Sequence, residues 1–584
     1  HDGGTNKDLL QGTPRIDNQT GAWWWAPSFC GVCGGEQRNN EDMIVKGSYF
    51  KSTSRGAHNI TFGYDMFNDK RKGDNRQSAT DYHVYASGSV ISNGTVYPIF
   101  EPGFSAFVVY WPLLESSKGT NFRTHSLFVS DEWAANKHVS LTLGARWDKN
   151  HGRDAGGNLI ADDSILSPRL GVVFDPKGDG RTTFNASASR YVAALAGSIA
   201  EGATPAGVPS ILAYAYFGDP INDNPNGPFV APDVALQQVF NWYNASGGET
   251  IVQATIPGLT VKVPRSLKSP HADEVAAGMS QELGSRGSVR FDVVRRKFAD
   301  FYGSRIDTTT GQAEDEFGQV FDVEHIVNTD AVKRTYTAFT AQADYRPSTD
   351  LTLGASYTLS HLRGNINGEN SGSGPIPTGI LQYPEYGDPK WMSPIGHLSA
   401  DQRHRARIWG LYNMPIGDGP NTLSVGVIEQ FQSGTPYGAV GSILMADEFG
   451  TPFVNNPGYS TPLDTQTYYF TPRDEFRTKT MVRTDLSINY TLGLGGGGQR
   501  QFFAQAQLLN LFNQFQLFNM STGAINTTVL TAIDDPTRFL PFNPFTQTPV
   551  RGVHWDYGSK FGTPTGSGAY TLPRTFTFTT GIRF

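Results

Sequence analysis

The sequence predicts an all-β chain folded as a transmembrane antiparallel β-barrel, and three observations predict it. Apolar and polar residues alternate with period two through segments of about ten residues or more, as in strands with one apolar face. Connections between these segments take turns, short then long, as in barrels with tight periplasmic turns and long extracellular loops. The polar face is Ser, Thr, Gln, Asn, Gly and Arg with few Lys or Glu, which suits a water-filled or plugged lumen better than a soluble surface.

Composition narrows the alternatives. The 584 residues carry 47 basic and 54 acidic side chains, a formal charge of −7, with 17% charged, 38% apolar and 12% aromatic residues. A globular domain has about 25% charged and about 45–50% apolar residues. With 65 Gly and 35 Pro, the chain is neither a helical bundle, a coiled coil nor an acidic disordered protein. The acidic balance argues against nucleic acid as a partner. No stretch reaches the roughly 18 consecutive apolar residues of a spanning helix. The start at His1, in a polar Gly/Asn-rich stretch without Met, reads as processed or trimmed.

In chain order, residues 1–42 read as the remainder of an extracellular loop and 43–584 as barrel. Four weaker strands come first, at 43–52, 58–69, 81–91 and 96–110, joined in pairs by turns near Thr53–Ala57 and Ser92–Thr95. Thirteen stronger ones follow, at 122–133, 138–149, 166–175, 181–191, 272–283, 288–302, 332–345, 351–362, 403–414, 422–433, 480–492, 500–512 and 573–584. The pattern is explicit in Val139, Leu141, Leu143, Ala145 and Trp147 against Ser140, Thr142, Gly144 and Arg146. It ends in Phe576, Phe578, Thr580, Ile582 and Phe584 against Thr577, Thr579, Gly581 and Arg583. Short turns fall at Ala134–Lys137, Asp175–Gly180, Gly284–Gly287, Arg346–Asp350, Pro415–Pro420 and Gly493–Gln499. Long loops fall near 150–165, 192–270, 303–331, 363–402, 434–479 and 513–572. Trp133, Trp147, Tyr345, Tyr357, Trp409, Tyr412 and Tyr490 lie towards strand ends, where amphipathic rings form interfacial girdles.

That makes about 17 strands, the first and last both running inward. Bacterial single-chain barrels have an even number. Barrels of about 22 strands are the plugged outer-membrane transporters. In such a barrel the segment 43–52 is strand six, and five strands lie outside this chain, cleaved or supplied by another fragment. An open edge in lipid leaves backbone groups unpaired, at a prohibitive cost.

The segments HNITFGYD (58–65), SLFVSDEWAANKHVSLTLGARWD (126–148), SPRLGVVFDPKGDGRTTFNASASRY (167–191), DQRHRARIWGLYNMP (401–415), QSGTPY (432–437), LLNLFNQF (508–515) and the terminal FTFTTGIRF carry a resemblance in their order. The chain resembles the barrel of TonB-dependent outer-membrane receptors, in particular the Oar-like group with an N-terminal carboxypeptidase-regulatory-like domain. The resemblance implies energy-coupled uptake of a scarce, bulky ligand across the outer membrane of a Gram-negative bacterium. It implies a plug and TonB box upstream, so the TonB–ExbB–ExbD complex is a partner through a plug this chain lacks, and no coupling residue transfers to it. It also makes Phe584 the C-terminal aromatic signal read by the barrel-insertion machinery; the alternative is an ordinary girdle residue.

Candidate site residues are few. Trp23, Trp24 and Trp25, and the cluster Tyr214, Tyr216, Phe217, Trp242 and Tyr243 in the longest loop, can stack on a sugar or grip a hydrophobic ligand. Packing among the loops, or lipopolysaccharide contact at the rim, is the plainer reading. Arg403, Arg405 and Arg407 alternate on one strand face and are expected to line the lumen and pair with a plug or an anionic ligand. Cys30 and Cys33, in FCGVCGG, lack a redox fold context and further metal ligands, and read as a local disulfide. Acidic clusters at Asp162–Asp163, Glu314–Asp315–Glu316 with Asp322 and Glu324, and Asp534–Asp535 have no EF-hand spacing. They read as solvated loop charge, with a loop Ca²⁺ as the alternative, so no cofactor is expected. GLGGGGQ lacks the ending of a phosphate loop, and no HExxH or GxSxG motif occurs. No enzyme is expected. The expected function is reception and transport at the cell outer membrane, amid its lipids; the alternative is a barrel that displays loops for binding or adhesion without active transport.

Overall fold

In the computed structural model, residues 6–24, 35–193, 203–246, 250–314, 319–367, 378–417, 421–494, 500–517 and 525–583 are described. The chain is all-β, and fifteen long strands form one antiparallel wall in which each strand pairs with its neighbours along the sequence. They are β1 Gln37–Thr53, β2 Gly56–Lys72, β3 Thr120–Ala134, β4 Val139–Arg153, β5 Leu159–Phe174, β6 Thr182–Val192, β7 His271–Glu282 and β8 Gly287–Ala299. The rest are β9 Arg334–Tyr345, β10 Leu351–Gly364, β11 His404–Pro415, β12 Thr422–Gln432, β13 Met481–Leu494, β14 Arg500–Leu509 and β15 Thr575–Arg583. Each of the thirteen stronger predicted strands is among them. Among the described residues, β1 pairs only with β2 and β15 only with β14, so the wall has two edges.

Two of the weaker predictions are corrected. The segments 81–91 and 96–110 never enter the wall, because β2 pairs directly with β3 from Ala57↔Ala134 to Arg71↔Thr120. They form four short strands, Tyr82–Ala86, Gly88–Ser92, Thr95–Ile99 and Gly103–Tyr110, at the long-loop end. Their alternation is imperfect for a reason: His83, Val84, Ala86, Val108 and Val109 are buried, some as direct sequence neighbours. The turn at Ser92–Thr95 is real, with Asn93 and Gly94 both at positive φ as a two-residue hairpin turn requires. The wall count is therefore fifteen rather than seventeen, and β1 begins at Gln37. The loop expected at 150–165 is also largely strand, since β4 and β5 stay paired out to Arg153↔Leu159.

The short turns expected from the sequence fall at one end of the wall, and the opposite end carries every long connection, the longest being 193–270, together with the five-residue link 154–158 between β4 and β5. Along the wall, the register keeps apolar side chains on one face. Tyr64, Leu127, Trp147 and Leu166 stand in one cross-strand row. The next row is Asp65, Ser126 and Asp148, on the other face. On the far side, Val427, Leu486, Leu508 and Phe576 alternate with Gly426, Ser487, Gln507 and Thr577. The apolar rows are the exposed ones: Leu127 is 55% accessible, Leu166 56% and Phe576 68%. Among the described residues no second layer covers them. In water such a band would be a severe liability; against hydrocarbon it is the expected outer surface.

The core is displaced accordingly. All of the largest fully buried side chains, including Tyr216, Tyr302, Tyr386, Phe100, Phe240 and Leu398, belong to the connections rather than the wall. Trp409 departs from the girdle expectation. Its row partners are Gly354 and Ile428, which puts it on the polar face, and its ring lies so close over Gly354 that a Cβ there would sit 2.2 Å from it. Tyr345 and Tyr412 do end up exposed near the short-turn end.

Candidate functional site

Two surfaces meet at the long-loop end: the polar face of the wall, and a folded layer made by the connections. On the wall, Arg146 holds the β2–β4 region together. Its guanidinium donates to Asp148 at 2.7 Å, to Asp65 at 2.9 Å and to Ser126 at 2.7 Å, while the Ser126 hydroxyl donates to Asp148 at 2.6 Å. Ser126 and Asp148 are buried, so this network satisfies charges that would otherwise be costly. Farther along, Arg405 stands in a row with Thr358 and Gln432, and Arg407 with Ser356 and Gln430. Both arginines are exposed on this polar face. Arg403 is different. It precedes β11 and donates to His397 Nε2 at 2.9 Å, while His397 Nδ1 lies 2.5 Å from Asp474. It belongs to the base of the loops, not to an open charged row.

The loop layer contains a six-stranded sheet drawn from three distant connections: Arg15–Asp17, Trp23–Trp24, Tyr82–Ala86, Gly103–Tyr110, Ile211–Tyr216 and Ile251–Thr255. The helix Pro232–Ser246 packs on it through Leu236, Val239 and Phe240, against Val84, Phe100 and Val108. Here sit most of the aromatic candidates. Tyr214 and Tyr216 are buried, and Trp242 meets Tyr216 edge to face at 4.8 Å. Tyr243 contacts Tyr214 at 5.1 Å and Tyr82 at 5.8 Å. The Tyr216 hydroxyl donates to the Asp219 carbonyl at 2.6 Å, and burial pushes its pKa up to about 12. Burial and the neighbouring Tyr214 and Tyr82 likewise push Tyr243 up. Phe217 is exposed and meets the exposed Phe104 edge to face at 5.7 Å. Trp23 is exposed with one edge against His83. Trp24 pairs with Arg15 through the backbone. Trp25, Cys30, Cys33 and Phe584 lie outside the described residues.

A second unit, the four-stranded sheet with Phe301–Ile306 and Glu324–Thr329 at its centre, stands beside the first. The carboxylates flagged in the sequence are largely engaged. Asp162 pairs with Lys149 at 2.6 Å, and Asp163 accepts from Asn150 and the Ser269 amide. Asp534 accepts from the Thr531 amide, and Asp535 from Thr537. Asp315 and Glu316 lie outside the described residues. Among the described residues no group of three or more His, Cys, Asp or Glu is arranged to hold a metal.

Cavities open among the loops. One, about 600 Å³, runs between the two sheets and includes Asp322 and Glu324. Another, about 380 Å³, sits at the top of the wall between Tyr191 and Phe298, with Arg296 beside it. Sequence reasoning missed both, and also Tyr82 and Tyr110, because segment 81–110 reads as wall. The signal was the sequence-adjacent buried pair His83–Val84, which no one-sided strand tolerates.

A family model described as an outer membrane beta barrel domain matches residues 152–540. No curated protein matches the chain. Among solved structures, the outer membrane transporter YddB from Escherichia coli is similar over 94% of this chain and 54% of its own, with 11% identity and a TM-score of 0.49. The siderophore receptor PiuA from Acinetobacter baumannii is similar over 94% and 56%, with 11% identity and a TM-score of 0.43. The FrpB iron transporter from Neisseria meningitidis is similar over 97% and 64%, with 11% identity and a TM-score of 0.42. The chain spans about half the length of the first two.

Proposed function

Because the chain belongs to the outer-membrane β-barrel domain family and so resides in the outer membrane rather than acting as an enzyme, we propose that it is the barrel of a TonB-dependent receptor of the Oar-like group, which takes up a scarce, bulky ligand. The supporting observation is the division of labour in the fold. An exposed apolar band covers one face of the wall, Arg405 and Arg407 stand on the opposite, polar face, and the connections build a folded layer over one end. A barrel that only sealed itself would not need several hydrophobic cores in its loops.

In this reading the long-loop end is extracellular and catches the ligand. A plug paired with the polar face gates it, and TonB–ExbB–ExbD supplies the energy. The two wall edges require partners in lipid. In a barrel of about 22 strands, fifteen are those of this wall, and the others pair with its two edges. The short strands Arg15–Asp17 and Trp23–Trp24 then belong to an extracellular connection.

The experiment compares cells expressing the full-length protein with and without TonB. Surface labelling reports the receptor, and growth on a panel of scarce nutrients reports uptake. Uptake lost with TonB while surface display persists is the expected result. Uptake indifferent to TonB would refute energised transport and leave a loop-displaying barrel.

A further inference from the structure

The 600 Å³ cleft is bounded in an unusual way. It touches all five consecutive residues of the strand Ile251–Thr255. One face of a strand would present only every second residue, so the cleft runs along the strand's edge. That edge is open: Ile251–Thr255 ends the six-stranded sheet and pairs only with Ile211–Tyr216 among the described residues. Across the cleft lies Val320–Asp322, which likewise pairs with one strand only, Gln312–Glu314. An unpaired edge is a row of backbone donors and acceptors awaiting a strand. Edges exposed to solvent are normally blunted by Lys or Pro; Ile251–Thr255 (IVQAT) has neither. Among the described residues the lining includes two carboxylates, Asp322 and Glu324, and no Lys or Arg. Asp322 Oδ1 is fixed by the Ser460 amide at 2.9 Å and by Gln312 at 3.1 Å, so its charge is held at the cleft wall.

We propose that this cleft captures an extended cationic peptide segment, which adds to Ile251–Thr255 as a further antiparallel or parallel strand. Backbone hydrogen bonds along the edge supply sequence-tolerant affinity, and alternate side chains meet the cleft walls. A five-residue strand spans about 17 Å, the run that Ile251–Thr255 offers. Asp322 and Glu324 select Lys or Arg. This assignment rests on reading the loops as the ligand-catching layer, and it names peptide as the ligand class.

The test uses the full-length protein in detergent micelles and a fluorescein-labelled heptapeptide pool alternating Lys with Val, Thr or Leu. Saturable binding, read by fluorescence anisotropy, is expected. Methylating alternate backbone amides of the pool removes strand donors without changing charge, and should weaken binding at least tenfold. Replacing Lys by Glu should do the same, and Glu324→Gln together with Asp322→Asn should erase the preference for Lys over Glu. Absence of saturable binding, or equal binding of the methylated pool, overturns the proposal. The TonB comparison above is independent: peptide binding with TonB-indifferent uptake would retain this site and reject the transport reading, and the converse pattern would do the opposite.

Discussion

Replacing Val293 by Arg puts a charge at the middle of β8, six residues from either end. Val293 is 49% accessible and stands in a row with Ala277 and Phe339 on the apolar face. If that face meets hydrocarbon, Arg at the midplane costs about 2–4 kcal/mol, which is roughly a thirtyfold to thousandfold loss in the folded-to-unfolded ratio. If the face met water, an exposed Val→Arg change would fall within about 0.5 kcal/mol. The control is Thr340→Arg, on the opposite face beside Asp292 and within hydrogen-bonding distance of Thr358, 3.3 Å away. There the new guanidinium has a carboxylate neighbour and a polar lumen, and the change should stay near 1 kcal/mol. The assay is urea-dependent folding of the full-length protein into phospholipid vesicles, read by the gel shift between unboiled and boiled samples. Equal stability of the two variants, with both still inserted, would refute the assignment of faces on which the rest of the architecture depends.

Other outcomes follow from the loop layer. His83 is buried with Nε2 at 3.1 Å from the Gln77 carbonyl and Nδ1 without a partner, and burial lowers its pKa below the ordinary imidazole value. The unfolded layer therefore binds a proton first as pH falls, so the stabilising contribution is present above about pH 6.5 and is lost progressively below it. The hydrogen-exchange protection factors of residues 82–110, corrected for the intrinsic exchange rate at each pH, should fall on acidification, and His83→Gln should flatten that dependence. Asp401 is buried, accepts from the Leu362 amide at 2.7 Å and pairs with Arg477 at 2.6 Å, tying two long connections to the top of β10. Asp401→Ala removes the carboxylate partner of Arg477, which keeps its bonds to the Asp401 and Gly434 carbonyls, and leaves the Leu362 amide unsatisfied, a loss of about 1–3 kcal/mol, and should appear as protease cleavage within 365–403 while the barrel itself stays inserted.

How much of this was legible in the sequence depended on whether one face or two were buried. The wall was readable because lipid and lumen impose opposite chemistry on successive residues: Leu486 and Ile488 against Ser487 and Asn489 admit one register only. The loop layer obeys no such rule. Tyr82–Ala86 packs on both faces, so its apolar residues come in succession and imitate a weak wall strand. Arg405 and Arg407 were legible as a pair on the polar face because the strand period fixes their face. Arg403, one step beyond β11, was not, because its partner His397 is brought in by a separate connection.

The same distinction governs the aromatic candidates. Tyr214, Tyr216 and Phe217 are near neighbours in sequence, yet the first two are 8% and 2% accessible and the third 50%. What separates them is the helix Pro232–Ser246, which brings Trp242 and Tyr243 onto the sheet from a position fixed only by tertiary packing. An aromatic cluster in a loop therefore signals that the loop folds, since rings of this size stabilise a small core by about 1.5–3 kcal/mol each when buried. Once those rings are committed to holding the layer rigid, recognition passes to what the rigid layer leaves open: the free edge of Ile251–Thr255 and the carboxylates of Asp322 and Glu324 facing it. A peptide-sized cleft can keep its shape without its ligand only because Tyr214 and Ile256, immediately behind it, are buried in the same cluster that Phe321 packs against.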